Sequence, residues 1–448
     1  MATTYDVNRG FDFGGHWVCA DYIARHGALP PLVLSAESYH PPLYYLIVAA
    51  LIKVGLGTGA AGWLAALLGI ARLIVVWIGL ERWLPESRLA RLVALFTAAV
   101  LPVGVQVDGM VTNETLSLLL CALAMVALPA AVEGARAGDV KPSAWLGLWI
   151  GLALITKISA SVLILALIPA VALEIGRSPE PWRQALRVRW KPFAVAAAII
   201  VALSGWFFVR NQILYGRTAP TGYDGILAPN QAPYEKIPYL SRRAPDFYWQ
   251  WDDAIFRRPY VPTGTRPHPR FFPVLIASTF SDYYSYCLAA WGTGTLALTI
   301  QHRPVPLVAF DLSCFSMIGG TVIALLTLLS WIGAAQRLRR RPSDPRVVLL
   351  IVPPLALLGQ MHFATKYPND DFGPIKGAYV QFVAPILCGL FGLAVAWMWR
   401  RVWARAGAVA ALGALLLVFL YIVDCRLPGT GPGASRAAPF FAPGPAAP

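Results

Sequence analysis

The stretch PFAVAAAIIVALSGWFFV (residues 192–209) contains no charged residue and lies between the basic segment RSPEPWRQALRVRWK (177–191) and Arg210. An α-helix rises about 1.5 Å per residue, so it needs roughly 20 apolar residues to cross a hydrocarbon core of about 30 Å. The length of this stretch therefore predicts a membrane-spanning helix. The short basic segment before it marks the cytoplasmic side.

Comparable apolar stretches recur along the 448 residues of the chain, which is 57% hydrophobic and only 13% charged. A globular protein carries roughly twice that charged fraction, about 25%. The composition therefore predicts an all-α polytopic membrane protein. The predicted spans lie near residues 61–83, 89–107, 114–132, 143–157, 159–176, 192–209, 312–335, 347–363, 378–398 and 404–424.

The net charge of +14 comes from basic residues that gather in short loops between the apolar spans. This distribution argues against a nucleic-acid partner and favours cytoplasmic loops. Alternation of the spans then assigns to the cytoplasm the loops 82–91, 133–142, 177–191, 336–346 and 399–405. The exterior face receives residues 1–60, the turns at 108–113 and near Lys157, the segment 210–311 and the loop 364–377.

The same pattern divides the chain into five parts. We predict a first exterior loop with a juxtamembrane helix (1–60), an N-terminal transmembrane module (61–209), a large exterior segment (210–311), C-terminal transmembrane helices (312–424) and a disordered tail (425–448). The stretch PPLYYLIVAALIKVGLG (41–57) is short for a span and carries Lys53 near its end. It is therefore predicted to lie along the outer leaflet as an interfacial helix.

Polar residues cluster in the predicted first exterior loop. FDFGGHW (11–17) places Asp12 four residues before His16, and ESYHPPLYY (37–45) adds Glu37 and His40. On a helix, residues four apart share one face, and a carboxylate beside an imidazole can act as a general base. The alternative is that Asp12 is a solvated loop carboxylate, and the spacing taken by itself favours this alternative.

Two further predicted exterior positions carry polar residues beside apolar spans. VDGMVTNETLSLLL (107–120) contains Asn113 and Glu114, and GLWIGLALITKISA (147–160) contains Lys157. Helix capping explains Asn113 equally well, and a first-turn acid suits the helix dipole. Lys157 is either a phosphate ligand or a lysine that extends its ammonium to the membrane surface.

The last predicted exterior residues follow later spans. GWFFVRNQILYG (205–216) ends a span with Arg210, Asn211 and Tyr215, and an arginine there suits bidentate binding of phosphate. YPNDDFGPIKGAY (367–379) contains Lys376 and Tyr379, although a solvated turn is its simplest interpretation.

Taken in order, these motifs resemble the GT-C superfamily of membrane glycosyltransferases. The likeness is to the branch with protein O-mannosyltransferases and the bacterial enzymes that transfer aminoarabinose to lipid A. It rests on Asp12 and His16, HPPLYY (40–45), the pair Asn113 and Glu114, GLALITK (151–157), WFFVRNQILYG (206–216), and Lys376 with Tyr379.

The resemblance implies a GT-C-like helical bundle and an inverting transfer of a sugar from a polyprenyl-phosphate donor to a lipid, glycan or protein acceptor. It implies a site facing the periplasm of a bacterial inner membrane, among membrane lipids. Asp12 would be the catalytic base. The residues implied in binding substrate are His16, Glu37, His40, Asn113, Glu114, Lys157, Arg210, Asn211, Tyr215, Lys376 and Tyr379.

The sequence departs from the family pattern at three points. Phe13 stands where a second acid is common, which leaves the use of a divalent cation open, and Glu114 replaces a frequent Asp. The chain also begins within the first exterior loop, so the resemblance predicts a further span upstream. Two alternatives remain: a transporter or flippase for an anionic lipid, and a noncatalytic polyprenyl-phosphate-binding protein.

Overall fold

The computed structural model describes residues 13–176, 181–222, 224, 236–251, 270–281, 299–300, 303–304, 307–341, 344–368 and 374–424. Asp12, the predicted disordered tail (425–448) and half of the predicted exterior segment (210–311) lie outside this range. Within the described residues the secondary structure is almost entirely helical, which confirms the all-α prediction.

The N-terminal half forms a series of helices joined by short turns. In chain order they are α1 (Phe13–His26), α2 (Leu43–Lys53), α3 (Thr58–Trp83), α4 (Arg88–Val100), α5 (Pro102–Val107), α6 (Glu114–Ala137), α7 (Lys141–Leu154), α8 (Ser161–Gly176), α9 (Trp182–Ile200) and α10 (Trp206–Tyr215). Short 3₁₀ helices cover Leu32–Leu34 and Ile158–Ala160. A π-helical turn, Val201–Gly205, joins α9 to α10.

The C-terminal half continues the bundle. Its helices are α11 (Asp246–Trp249), α12 (Phe271–Phe280), α13 (Leu307–Arg339), α14 (Val352–Lys366), α15 (Gly377–Val380), α16 (Ala384–Trp399) and α17 (Val402–Asp424). The 3₁₀ helices here are Tyr239–Ser241, Pro345–Ile351 and Gln381–Val383. A two-residue antiparallel pair of strands, β1 (Thr299–Ile300) and β2 (Arg303–Pro304), precedes α13.

Eight helical segments of the described chain are long and apolar enough to cross a membrane. They are Thr58–Trp83, Glu114–Ala137, Ile158–Gly176, Trp182–Tyr215, Phe315–Arg339, Pro345–Lys366, Gly377–Trp399 and Val402–Leu420. On α3 the exposed apolar residues recur every three or four positions: Trp63, Leu67, Ile70, Ile74 and Ile78. This spacing gives one continuous apolar face, as expected where a helix faces lipid.

Two predicted spans, 89–107 and 143–157, are not among these eight segments, because the helices they form are short. The segment 89–107 is broken at Leu101, because Pro102 disfavours helical geometry in the residue before it. The segment 143–157 corresponds to α7, whose 14 residues rise only about 21 Å.

Helices α6 and α16 form the centre of the bundle. In the apolar window of α6, 72% of the residues are buried, and the value is 61% for Gly377–Trp399, against 28–39% for the other segments. Helix α16 crosses α4 closely at Gly392, where a Cβ atom would lie only 2.2 Å from the carbonyl oxygen of Ala90. Small residues at such crossings allow close backbone packing between membrane helices.

The juxtamembrane stretch folds as the separate helix α2. Its 11 residues rise about 16 Å, roughly half the thickness of a hydrocarbon core. Helix α2 packs on α1, and the Leu43 amide at its start donates to the Ile155 carbonyl at 3.0 Å. This contact fixes the first loop against the end of α7.

Candidate functional site

Polar residues of FDFGGHW (11–17) and ESYHPPLYY (37–45) come together through the packing of α1 on α2. Helix α1 begins at Phe13, directly after Asp12, and buries His16, Cys19, Ala20 and Ile23. These residues follow the three-and-four spacing of one helix face. The polar member, His16, therefore points into the protein.

Gly15 lets α1 approach the turn that precedes α2. A Cβ atom on Gly15 would lie 2.7 Å from both Glu37 Cγ and Ser35 Oγ, which is closer than side chains pack. The neighbouring Gly14 has open space at the corresponding position. Of the two glycines in FDFGGHW, only Gly15 is required for this packing.

His16 is held by partners from three parts of the chain. Its Nδ1 lies 2.8 Å from the Tyr45 hydroxyl, and its Nε2 lies 3.3 Å from Thr112 Oγ1 and 3.9 Å from Glu37 Oε2. The same Glu37 oxygen lies 2.8 Å from His40 Nε2. The predicted residues His16, Glu37 and His40 are thus brought together, and all three are buried.

The protonation state of Tyr45 orients this network. Burial, and secondarily the Glu37 carboxylate, raises the pKa of the Tyr45 phenol well above its ordinary value. The phenol therefore keeps its proton and can donate it to His16 Nδ1, which leaves Nε2 to donate toward Thr112. Tyr45 and Thr112 were not among the predicted site residues, although both lie in motifs that the sequence singled out.

A buried ion pair lies beside this network. Lys157 Nζ contacts Glu114 Oε1, and both residues are more than 90% buried. Thr112 links the two groups, because its Oγ1 accepts from the Glu114 amide at 3.4 Å and lies against His16. The Lys157 ammonium is thus inside the bundle, and the alternative of a lysine reaching toward the membrane surface is wrong.

Asn113 supports the same arrangement. Its side-chain amide donates to the Thr156 carbonyl at 3.4 Å, whereas its side chain forms no hydrogen bond that caps α6. Asn113 therefore ties the start of α6 to the residue before Lys157. Capping through its side chain, the simpler interpretation of the sequence, is not what the structure contains.

Tyr379 joins two lysines from distant parts of the chain. Lys157 Nζ lies 5.1 Å from the centre of the Tyr379 ring, and Lys376 Nζ lies 5.5 Å from it. Both distances are within the range of cation–π attraction. The ring therefore helps to hold two buried ammonium groups in one region, next to the Glu114 carboxylate that pairs with Lys157.

The Arg210 group forms a separate cluster on α10. Arg210 donates to Asn211 Oδ1 at 3.1 Å and lies 5.8 Å from the centre of the Tyr215 ring. Asn211 is buried, and its Nδ2 has no partner within the described residues. These described contacts do not join the Arg210 group to the lysine cluster, the name used below for Lys157, Lys376, Glu114 and Tyr379.

Among the described residues, no group of three or more His, Cys, Asp and Glu side chains is arranged to hold a metal ion. Glu37 has one carboxylate oxygen against His40, and Glu114 has one against Lys157. Asp12, Asp370 and Asp371 lie outside the described residues.

Comparisons with known proteins bear on this arrangement. The sequence profile of the family described as dolichyl-phosphate-mannose-protein mannosyltransferase matches residues 39–207. That range includes His40, Glu114 and Lys157. A comparison with curated protein sequences gives no significant match.

Solved structures share the fold. ArnT from Cupriavidus metallidurans bound to undecaprenyl phosphate aligns with 94% of this chain and 68% of its own, with a TM-score of 0.51 and 13% identity. The apo form of that protein aligns with a TM-score of 0.47 and 13% identity, over 94% of this chain and 67% of its own.

The archaeal oligosaccharyltransferase AglB from Archaeoglobus fulgidus, in complex with an inhibitory peptide and a dolichol-phosphate, aligns with 94% of this chain. The match covers 52% of the AglB chain, with a TM-score of 0.52 and 13% identity. The family match thus covers 169 of the 448 residues, and the likeness to ArnT and AglB shows a fold that this chain shares with those two proteins.

Proposed function

We propose that the protein is an inverting glycosyltransferase that moves a sugar from a polyprenyl-phosphate donor to an acceptor at the exterior face of the membrane. The observation that carries the proposal is a cluster at one end of the bundle, in which the buried residues His16, Glu114, Lys157 and Lys376 lie around the partly buried Tyr379. Buried charges within a membrane protein are expensive and are typical of functional sites. The family description and the lipid phosphates bound to both fold relatives support this donor class.

Asp12 is the proposed catalytic base. It directly precedes Phe13, the first residue of α1, and it is four residues before His16. A carboxylate at this position would take the proton of the acceptor hydroxyl while the oxygen attacks the anomeric carbon. The attack inverts that carbon, and the polyprenyl phosphate leaves on the opposite side.

The leaving phosphate needs cations, because its negative charge grows as the glycosidic bond breaks. Lys376 and Arg210 are the proposed ligands of this phosphate. Lys157 already contacts Glu114, so its contribution is shared between that carboxylate and the substrate. An ammonium has three N–H donors, and the Glu114 contact uses one of them.

The remaining predicted residues would shape the pocket. His16, Glu37 and His40 form the wall beside α1, Asn113 holds the start of α6 in place, and Asn211 and Tyr215 lie beside Arg210. The acceptor is proposed to be a lipid, a glycan or a protein with a free hydroxyl or amine. If a divalent cation takes part, it would add a further positive charge at the phosphate.

We place the site on the periplasmic side of a bacterial inner membrane. The predicted cytoplasmic loops follow α3 and α6 and precede α9, at the opposite end of the bundle from Glu114 and Lys157. Those three loops hold 10 of the 37 Lys and Arg residues of the chain within 35 residues. Short basic loops stay in the cytoplasm, so the cluster would face outward.

A transfer assay tests the proposal. Purified protein in nanodiscs would receive labelled polyprenyl-phosphate sugars with candidate acceptors. We expect transfer by the native protein and a loss of at least 100-fold in Asp12→Asn, since general-base catalysis contributes about 10² to 10⁴. Asp21→Asn is the matched control, because Asp21 lies on α1 in a surface pair with Arg25 and should leave transfer unchanged.

The outcomes separate the alternatives. Equal transfer by native protein and Asp12→Asn would move the base to another residue, with Glu114 the next candidate. Retention of undecaprenyl phosphate by every variant, without transfer to any acceptor, would instead support a noncatalytic polyprenyl-phosphate-binding protein. Movement of the intact donor between leaflets would support a flippase.

A further inference from the structure

A charged crevice opens at the other end of the bundle from the candidate active site. Its volume is about 770 Å³, and its walls come from the ends of α3 and α13, the last turns of α6 and the start of the Pro345–Ile351 helix. Glu133, on the crevice wall, follows Glu114 on α6 by nineteen residues, or about 29 Å of helix. The crevice is therefore separate from the lysine cluster.

The rim of the crevice carries a surplus of positive charge. The crevice is lined by two acids, Glu133 and Asp344, and by four arginines: Arg82, Arg340, Arg341 and Arg346. Asp344 forms an ion pair with Arg346, whose Nε and Nη2 donate to the two carboxylate oxygens at 2.9 and 2.6 Å. Arg346 also donates from Nη1 to the Trp83 carbonyl at 3.0 Å, so this pair is part of the crevice wall.

The other three arginines are available to a ligand. Within the described part of the chain, Arg82, Arg340 and Arg341 form no ion pair with a carboxylate, and their side chains are exposed. Glu133 likewise pairs with no cation there. Three guanidinium groups around one opening, with a single unpaired acid, suit a group that carries negative charge and several acceptor oxygens.

A buried donor adds a second, independent indication. Trp83 lines the crevice, is 93% buried, and its indole Nε1 has no hydrogen-bond partner within the described residues. Buried polar groups are nearly always hydrogen-bonded, so an unpaired indole N–H requires an explanation. A ligand oxygen in the crevice, reached after a small shift of the ring, would supply the acceptor.

The apolar wall indicates what kind of anion fits. Along α6 the crevice passes from Glu133 to Ala130, Pro129 and Val126, toward the middle of the helix. This change from charge to apolar surface spans seven residues, or about 10 Å, where the ends of membrane helices meet the interface. A free phosphate would use only the rim, whereas a phospholipid would use both parts.

We propose that this crevice binds an anionic phospholipid, with its phosphate between Arg82, Arg340 and Arg341 and one acyl chain along the apolar wall of α6. Basic pockets between membrane helices are known to take anionic headgroups. The proposal concerns a structural lipid and does not depend on the proposed transferase activity.

Native mass spectrometry of the purified full chain tests the assignment. The protein would be equilibrated with detergent micelles that contain either phosphatidylglycerol or phosphatidylcholine. We expect one phosphatidylglycerol retained by the native protein and retention at least tenfold weaker in Arg340→Gln/Arg341→Gln, since each such arginine near a headgroup contributes substantially to binding. Trp83→Phe, which keeps every charge, should also weaken retention.

The matched control is Arg400→Gln/Arg401→Gln. These two arginines are also adjacent and exposed, at the end of α16, and they lie outside the crevice. Equal loss of lipid in this control would overturn the proposal, since the effect would then follow net charge alone. Equal retention of phosphatidylcholine would overturn it as well. Binding of inorganic phosphate without retention of phosphatidylglycerol would replace the lipid with a free phosphate.

Discussion

The ion pair between Glu114 and Lys157 gives the sharpest test of how the candidate site is built. The substitution Lys157→Met keeps the length of the side chain and removes its charge. The Glu114 carboxylate then stays buried in a membrane protein without its cation. Removing one partner of a buried pair costs about 3–5 kcal/mol, and the lost contact with the Tyr379 ring adds roughly 0.5–2 kcal/mol.

The free energy of unfolding can be followed by tryptophan fluorescence in mixed micelles of a mild detergent and sodium dodecyl sulfate. We expect Lys157→Met to lower it by about 3.5–7 kcal/mol, the sum of the two contributions. We also expect the double variant Glu114→Gln/Lys157→Met to lose at least 1–2 kcal/mol less than the sum of the two single variants, because the second change removes the stranded charge.

The pair between Arg25 and Asp21 provides the control. It has comparable geometry, with Arg25 Nε at 2.8 Å from an Asp21 oxygen, but the arginine side chain is 72% exposed. Water screens such pairs, so Arg25→Met should cost only about 0–1 kcal/mol. A cost below about 1 kcal/mol for Lys157→Met, or strictly additive effects of the two substitutions, would refute the buried pair.

Three further expectations follow from packing and titration. Gly15→Ala should lower the melting temperature, because the new Cβ atom would overlap Glu37. Gly14→Ala, where the new Cβ atom meets open space, should raise the melting temperature slightly. Equal shifts of the melting temperature in the two variants would contradict the packing of α1. Burial raises the pKa of the Cys19 thiol to about 11, so maleimide should leave Cys19 unmodified at pH 8 until the protein unfolds. Arg346 lowers the pKa of Asp344, so the stability from this pair is present above about pH 4 and is lost as the pH falls further; Asp344→Asn should remove that dependence.

Hydropathy and charge were sufficient to predict the bundle, because lipid demands long apolar helices and basic loops mark one side. The same arguments did not predict the break at Leu101, because hydropathy treats 89–107 as one apolar stretch. Pro102 was the visible signal for this break, since proline disfavours helical geometry in the residue before it.

The candidate site was predicted in part. Glu37 and His40 lie three residues apart, so a local turn brings them together, and the sequence could indicate their proximity. Glu114 and Lys157 were singled out as separate positions but not as partners. They are 43 residues apart, and their contact depends on how α6 and α7 pack. The crevice around Arg82 and Arg340 depends on still more distant packing and had no local signal.

The charge balance of the lysine cluster indicates which further cation would neutralise the donor phosphate. Among the described residues, the Lys157 ammonium is already paired with the Glu114 carboxylate, and Lys376 lies against the same Tyr379 ring. A phosphate that gains charge as it leaves would therefore draw on a further cation, and we propose that Arg210 supplies it.

We accordingly expect Arg210→Gln to weaken the binding of undecaprenyl phosphate by at least tenfold, which corresponds to about 1.4 kcal/mol for a charged hydrogen bond. Arg217→Gln is a suitable control, because Arg217 donates to Asp224 at 3.0 Å and is proposed to play no part in donor binding. Binding can be measured by titration of the lipid into protein in nanodiscs. Unchanged affinity in Arg210→Gln would mean that a protonated histidine or a bound divalent cation neutralises the phosphate instead. Binding through a histidine would weaken as the pH rises, and binding through a divalent cation would weaken when a chelator is added.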